Sequence, residues 1–181
     1  MASQGNLEEL ARAVHKWNQA GTEIAQIIGR PALDGHLAEY VAAEIFGIIL
    51  ERTANRKGVD GRFLNGPLAG KKVDIKWQGK MEGLLNISPH LLTDFYLVMS
   101  GARADPASSR GTTRPWIISS VFLFDANQLV RELQLRNVKV GEASSITKAL
   151  WQSAEIYPEQ RNRAFVVSEE QRRLLALFKE P

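Results

Sequence analysis

Residues Gly58–Lys80 read GVDGRFLNGPLAGKKVDIKWQGK, and the rest of the chain is read outward from them. An aspartate follows an apolar residue at Val59-Asp60. A Gly/Pro-rich turn comes next, and a strand-like run then carries Asp74-Ile75-Lys76. Side chains alternate along a strand, so Asp74, Lys76 and Gln78 fall on one face and Val73, Ile75 and Trp77 on the other. The second set is a core face. The first puts a carboxylate, an ammonium and an amide side by side, which a core rejects unless they are paired or used.

Two carboxylates that converge on one point are hard oxygen donors suited to a divalent cation, most naturally Mg²⁺. Such a cation polarises a phosphoryl oxygen and helps generate hydroxide from water. A lysine one strand repeat beyond the second carboxylate is placed to orient that water or to meet charge developing on a phosphate. The chemistry that suits this set is metal-assisted hydrolysis of a phosphodiester. The competing reading is structural: a turn aspartate at Asp60, and an ordinary ion pair on an exposed strand face at Asp74 and Lys76.

Asp60, a gap of thirteen residues, then Asp74-x-Lys76 resembles the signature of the PD-(D/E)XK nuclease superfamily. Gly35-His36-Leu37-Ala38-Glu39 resembles the glutamate-bearing first helix of that fold. The likeness runs from Gly35 to Asp125, about half the chain, and Val59 stands where the motif's proline would be. The resemblance implies an α/β, restriction-endonuclease-like fold with a mixed central sheet flanked by helices. It implies a Mg²⁺-dependent endodeoxyribonuclease, with Mn²⁺ as a substitute, of the restriction, defence or repair kind. Asp60, Asp74 and Glu39 would then hold the metal, Lys76 would assist the nucleophile and Gln78 would orient phosphate or water. A restriction-type role would imply a homodimer.

Glu39 and Glu44 lie on one apolar helical run, Leu37 to Leu50, and five residues separate them by about 140° around a helix. They cannot easily serve one site. Glu39 is favoured because Gly35, Ala42 and Ala43 leave room around it, and Asp34 is the expected N-cap of its helix. Lys71, Lys72, Lys76 and Lys80 cluster near the strand. Lys72 and Lys80 are candidate DNA contacts, as are Arg103, Arg110 and Arg114 in the loop from Gly101 to Pro115.

The remaining elements follow from periodicity and punctuation. Helices are expected over Asn6–Asn18 and Thr22–Ile28, the first with an apolar stripe of Leu7, Leu10, Ala11, Val14 and Trp17 that suits either packing or a dimer surface. Strands are expected at Asp60–Leu64, at Asp94–Ser100 (fully buried), at Trp116–Phe124 and at Ala164–Val167. Asp125 should cap a helix over Asn127–Arg136, and a further short helix is expected over Ser144–Ser153. Ser168-Glu169-Glu170-Gln171 is a capping box opening a last helix to Lys179.

The 181 residues suit one domain, with a core of about 35–136, N-terminal helices over 6–28 and a C-terminal addition over 143–181. A net charge of +3 permits a nucleic-acid partner without demanding one. The absence of cysteine excludes disulfides and thiolate metal sites. There is no P-loop, GxGxxG fingerprint or GxSxG elbow. The start MASQGNLEEL has neither a basic n-region nor an apolar run, so a cytoplasmic protein with no membrane partner is expected. Two other readings stay open: a non-catalytic nucleic-acid-binding or interaction module on the same fold, and an interaction protein of unrelated fold.

Overall fold

The computed structural model describes residues 4–51, 58–81, 83–90, 92–102 and 115–179. The strand at the centre of the quoted stretch, Lys72–Gln78, is the third in chain order, β3. It is preceded by helices α1 (Gln4–Ile28) and α2 (Asp34–Phe46) and by strands β1 (Ile48–Leu50) and β2 (Gly61–Phe63). It is followed by β4 (Leu84–Leu85), β5 (Phe95–Ser100), β6 (Ser120–Asp125), α3 (Ala126–Leu135), β7 (Ser144–Ser145), α4 (Lys148–Ala154), β8 (Glu155–Tyr157) and α5 (Glu169–Ala176). Six strands form one sheet in the order β1-β2-β3-β5-β6-β8, and β4 and β7 pair separately. Only β3 and β5 run parallel; the other neighbours in the large sheet are antiparallel. The chain is therefore a mixed α/β structure with a central mixed sheet flanked by helices.

Strand alternation divides the core in two. Val73, Ile75, Phe95, Leu97 and Met99 face α2 and the C-terminal segment, joined by Val41, Ile45, Phe165 and Leu175. Tyr96, Val98, Phe122 and Phe124 face α3 and α4, joined by Leu129, Leu133 and Trp151. The Trp151 ring meets Phe122 and Phe124 edge-on at 4.7 and 5.0 Å. Trp151→Ala should therefore lose about 3–5 kcal/mol of unfolding free energy, read by denaturant titration. A parallel pair needs a crossover. Here it runs through β4 and over the α3/α4 face, where Leu85 and Ile87 are buried and the Gln78 amide donates to the Leu84 carbonyl at 2.5 Å.

Several expected elements take other shapes. The two N-terminal helices are one, because Gly21 is tolerated inside a helix and nothing in the run breaks it. The expected helix to Leu50 stops at Phe46. Gly47 takes the left-handed conformation (φ 63°, ψ 55°) and donates to the Ala43 carbonyl, and Ile48–Leu50 then form β1 against β2. Asp34 is the first helical residue rather than the cap, which is Leu33. The strand expected from Trp116 begins at Ser120, while Trp116 stacks on Trp77 at 4.5 Å. The expected helix at Ser144 starts instead at Lys148, capped by Thr147, after the short strand β7.

No strand forms over Ala164–Val167. The Gln160 side chain donates to the Phe165 carbonyl and accepts from the Val167 amide, so these backbone groups need no ladder. The last strand of the sheet is Glu155–Tyr157, which belongs to the segment 143–181 and follows α4 without a turn. The Asp125 cap and the Ser168–Gln171 capping box both form as expected.

Gly61 marks where β2 lies tightest. A Cβ there would sit 2.5 Å from the Ile49 carbonyl oxygen and 2.6 Å from Ile48 Cγ2. Gly61→Ala must push β1 away from β2, so a loss of about 1–3 kcal/mol is expected in denaturant unfolding. An unchanged midpoint would contradict this packing. Among the described residues, no helix is long and apolar enough to cross a membrane.

Candidate active site

The β2–β3 ladder ends at Gly61↔Val73, and the strands part there. Asp60 still donates its backbone N–H to the Val73 carbonyl at 2.9 Å. Its side chain takes the place of the next ladder bond, with Oδ2 accepting from the Ile75 N–H at 2.6 Å. The Asp60 carboxylate is thus held against β3, next to Asp74. Asp74 is 1% exposed, in register with Tyr96 of β5 on the α3/α4 side of the sheet. Two residues on, the Lys76 ammonium lies 2.6 Å from Asp74 Oδ1. The contact is an ion pair that brings a positive charge against the buried carboxylate.

Two carboxylates so close and so dry resist ionising together. Burial, and then the Asp74 charge, push Asp60 from 3.8 up to about 7, against the pull of the Ile75 N–H. Burial also raises Asp74, although Lys76 opposes it.

Glu39 on α2 is close enough for its charge to act on both aspartates. Its Oε2 is also gripped by the Arg30 guanidinium at 2.5 Å. Glu44 is exposed on the same helix, so of the two glutamates Glu39 is the one that senses the pair. Gln78 shares the strand face, but its amide nitrogen is committed to Leu84 and its buried Oε1 has no hydrogen-bond partner. Lys72 opens β3, and its backbone N–H donates to Asp94 Oδ2 at 2.7 Å. Lys80 lies just past the end of the strand. Arg103, Arg110 and Arg114 lie outside the described residues.

The residues not anticipated around the pair are Arg30, Gly58, Ser88 and Tyr96. Gly58 (φ +88°) lets the chain pass close to Asp74. A Cβ there would sit 3.5 Å from Ser88 Cβ and 3.9 Å from Asp74 Oδ2. The Ser88 N–H donates to the Tyr96 hydroxyl at 3.1 Å, tying the crossover to β5 beside the site. Burial raises the Tyr96 phenol, which stays neutral there. None of this had a local signal, because these contacts join segments far apart in the chain. Among the described residues, no group of three or more His, Cys, Asp or Glu side chains is gathered so as to hold a metal ion. No protein-family model matches the chain, and a search of the curated proteins finds no match.

Proposed function

We propose that this chain is a divalent-cation-dependent nuclease that hydrolyses DNA phosphodiester bonds, on a restriction-endonuclease-like sheet of the PD-(D/E)XK kind. One observation carries the reading: two carboxylates, Asp60 and Asp74, lie together in a largely dry site with the Lys76 ammonium 2.6 Å away. A fold that held them only for stability would gain nothing from their repulsion, whereas a hard cation turns it into attraction.

The donor set fits such a cation through its two adjacent carboxylates, with Lys76 paired to Asp74 Oδ1. Mg²⁺, or Mn²⁺ in its place, would supply Lewis acidity at a phosphoryl oxygen. The chain's own groups divide the remaining work. Asp60 is oriented by the Ile75 N–H. Lys76, whose side chain is about a third exposed, reaches the surface to meet a phosphate or its water. Glu39 supports the cluster from α2. Lys72 and Lys80, with Arg103, Arg110 and Arg114, would add grip on the DNA backbone. Gln78 is less suited to its expected role, because its amide nitrogen already binds Leu84.

The purified chain should be incubated with supercoiled plasmid, linear duplex and single strands, in Mg²⁺ or Mn²⁺ and in EDTA. Cation-dependent cleavage that Lys76→Ala reduces by about 10²-fold or more is expected. Cleavage unaffected by EDTA or by Lys76→Ala would refute the reading.

Arg30 competes for Glu39. Removing it should strengthen Mg²⁺ binding, measured by thermal shift. The gain should be about two- to fivefold, the equivalent of ~0.5–1 kcal/mol for a partly exposed ion pair. Unchanged binding in Arg30→Gln would mean that Glu39 plays no part.

A second reading, a non-catalytic nucleic-acid-binding module, is favoured by the Arg30–Glu39 pair and by the lack of a three-residue ligand cluster among the described residues. It predicts DNA binding that persists in EDTA, without cleavage of any substrate.

A further inference from the structure

Arg30 lies in the link between α1 and α2, and its backbone is held from both sides. Gly29, just past the end of α1, takes the left-handed conformation (φ 66°). Pro31 locks its own φ and keeps Arg30 out of the helical region. The Pro31 carbonyl accepts from the Leu33 N–H at 2.7 Å and from His36 Nδ1 at 2.9 Å. A carbonyl can only accept, so that ring nitrogen carries the proton. The Leu37 N–H bonds back to the Leu33 carbonyl at 2.9 Å, which ties the link to the first turn of α2. An exposed arginine–glutamate pair contributes little stability by itself. The bracket around Arg30 is more than such a pair needs.

Among the described residues, the guanidinium spends Nη1 on Glu39 Oε2, and 41% of the side chain stays exposed. A guanidinium carries several N–H donors in a rigid planar fork, so the contact with Glu39 leaves donors over. Glu39 acts on both Asp60 and Asp74. Arg30 therefore stands one side chain outside the carboxylate pair, at its rim, whereas Lys76 stands inside, against Asp74.

The charges of the site ask for a further cation at that rim. Asp60, Asp74 and Glu39 carry three formal negative charges, which a divalent cation and Lys76 together balance. A DNA strand brings more negative charge, and nothing in that balance is left to meet it. We propose that Arg30 binds a backbone phosphate next to the scissile one, keeping Nη1 on Glu39 and giving the rest of its fork to the phosphate oxygens. Bidentate contact with a phosphate is what a guanidinium does and an ammonium cannot. Glu39 and the fixed link hold the arginine beforehand, so less side-chain entropy is lost when the strand arrives. The inference rests on the nuclease reading, which brings the strand past the aspartates.

The test is binding rather than cleavage. A fluorescent duplex is titrated by anisotropy in saturating Ca²⁺, a hard cation with the same preference for oxygen ligands, over a range of NaCl. Arg30→Gln should bind about tenfold more weakly. Its slope of log K against log salt should shrink by about one. Arg30→Lys keeps the charge and loses the fork, so it should keep the slope and recover only part of the affinity. Arg30→Gln would then weaken DNA while it tightens Mg²⁺; an arginine that merely occupied Glu39 would give the cation effect alone. Unchanged affinity in Arg30→Gln, or weaker binding with an unchanged slope, would overturn the proposal, while cation-dependent cleavage by the unaltered chain would still uphold the nuclease reading. No DNA binding by the unaltered chain would overturn both.

Discussion

Asp74→Asn should melt higher than the unaltered chain at pH 8 without cation, and should not cleave DNA. The two halves of this result have one cause. The Asp74 side chain is almost fully buried, and burial holds its carboxyl above the usual range even though Lys76 opposes the shift. The native structure therefore prefers the neutral side chain, and an amide of nearly the same shape removes a charge that the fold does not want. It also relieves the repulsion at Asp60. A rise of about 2–4 °C is expected, the shift that ~1 kcal/mol produces in a chain of this size. Cleavage is lost because one of two cation donors is gone, which dismantles the site rather than trimming it. A midpoint that falls by a similar amount would identify the Asp74–Lys76 pair as a structural brace.

The second large effect is on the pH dependence of stability. Asp60 has a carboxyl pKa of 3.8 in the ordinary state and about 7 in the fold. Between those values the folded chain keeps a proton that the unfolded chain has released. Its contribution is therefore fully present below about pH 4 and is lost as pH rises through about 7. For a shift of that size the loss is at most roughly 4 kcal/mol at 1.36 kcal/mol per unit, and coupling to Asp74 reduces it. The clean readout is the difference in unfolding free energy between the unaltered chain and Asp60→Asn across pH 4 to 8. That difference should tilt against the unaltered chain as pH rises. A divalent cation binds the ionised pair, so Mg²⁺ should restore stability progressively over the same window. Parallel pH curves for the two proteins, with no Mg²⁺ effect, would contradict the site.

The centre of this site was legible because it is local. Strand alternation alone put Asp74, Lys76 and Gln78 on one face, and the fully buried run at Phe95–Ser100 identified the strand beside them. Capping chemistry located Asp125 and Ser168 for the same reason, since the partner lies three residues away.

What periodicity could not find was decided by distant contacts. Ile48–Leu50 extends the apolar pattern of α2, and only the left-handed Gly47 separates helix from strand. Phe165 and Val167 are as apolar as a strand, but Gln160 satisfies the backbone between them. Arg30 reads as a residue in a helix break, yet it ion-pairs with the one glutamate that senses both aspartates. The α1 stripe was visible in the sequence, whereas its exposure among the described residues became evident only in the fold.

The central claim is that Asp60 and Asp74 form a cation-dependent hydrolytic site. The most direct measurement is nicking of supercoiled plasmid by the unaltered chain and Asp74→Asn, side by side, in Mg²⁺, in Mn²⁺ and in EDTA. Nicking by the unaltered chain should require cation, and the variant, folded and at least as stable, should show none. Equal nicking by the two proteins, or none by the unaltered chain on any DNA while it still binds DNA in EDTA, would contradict it.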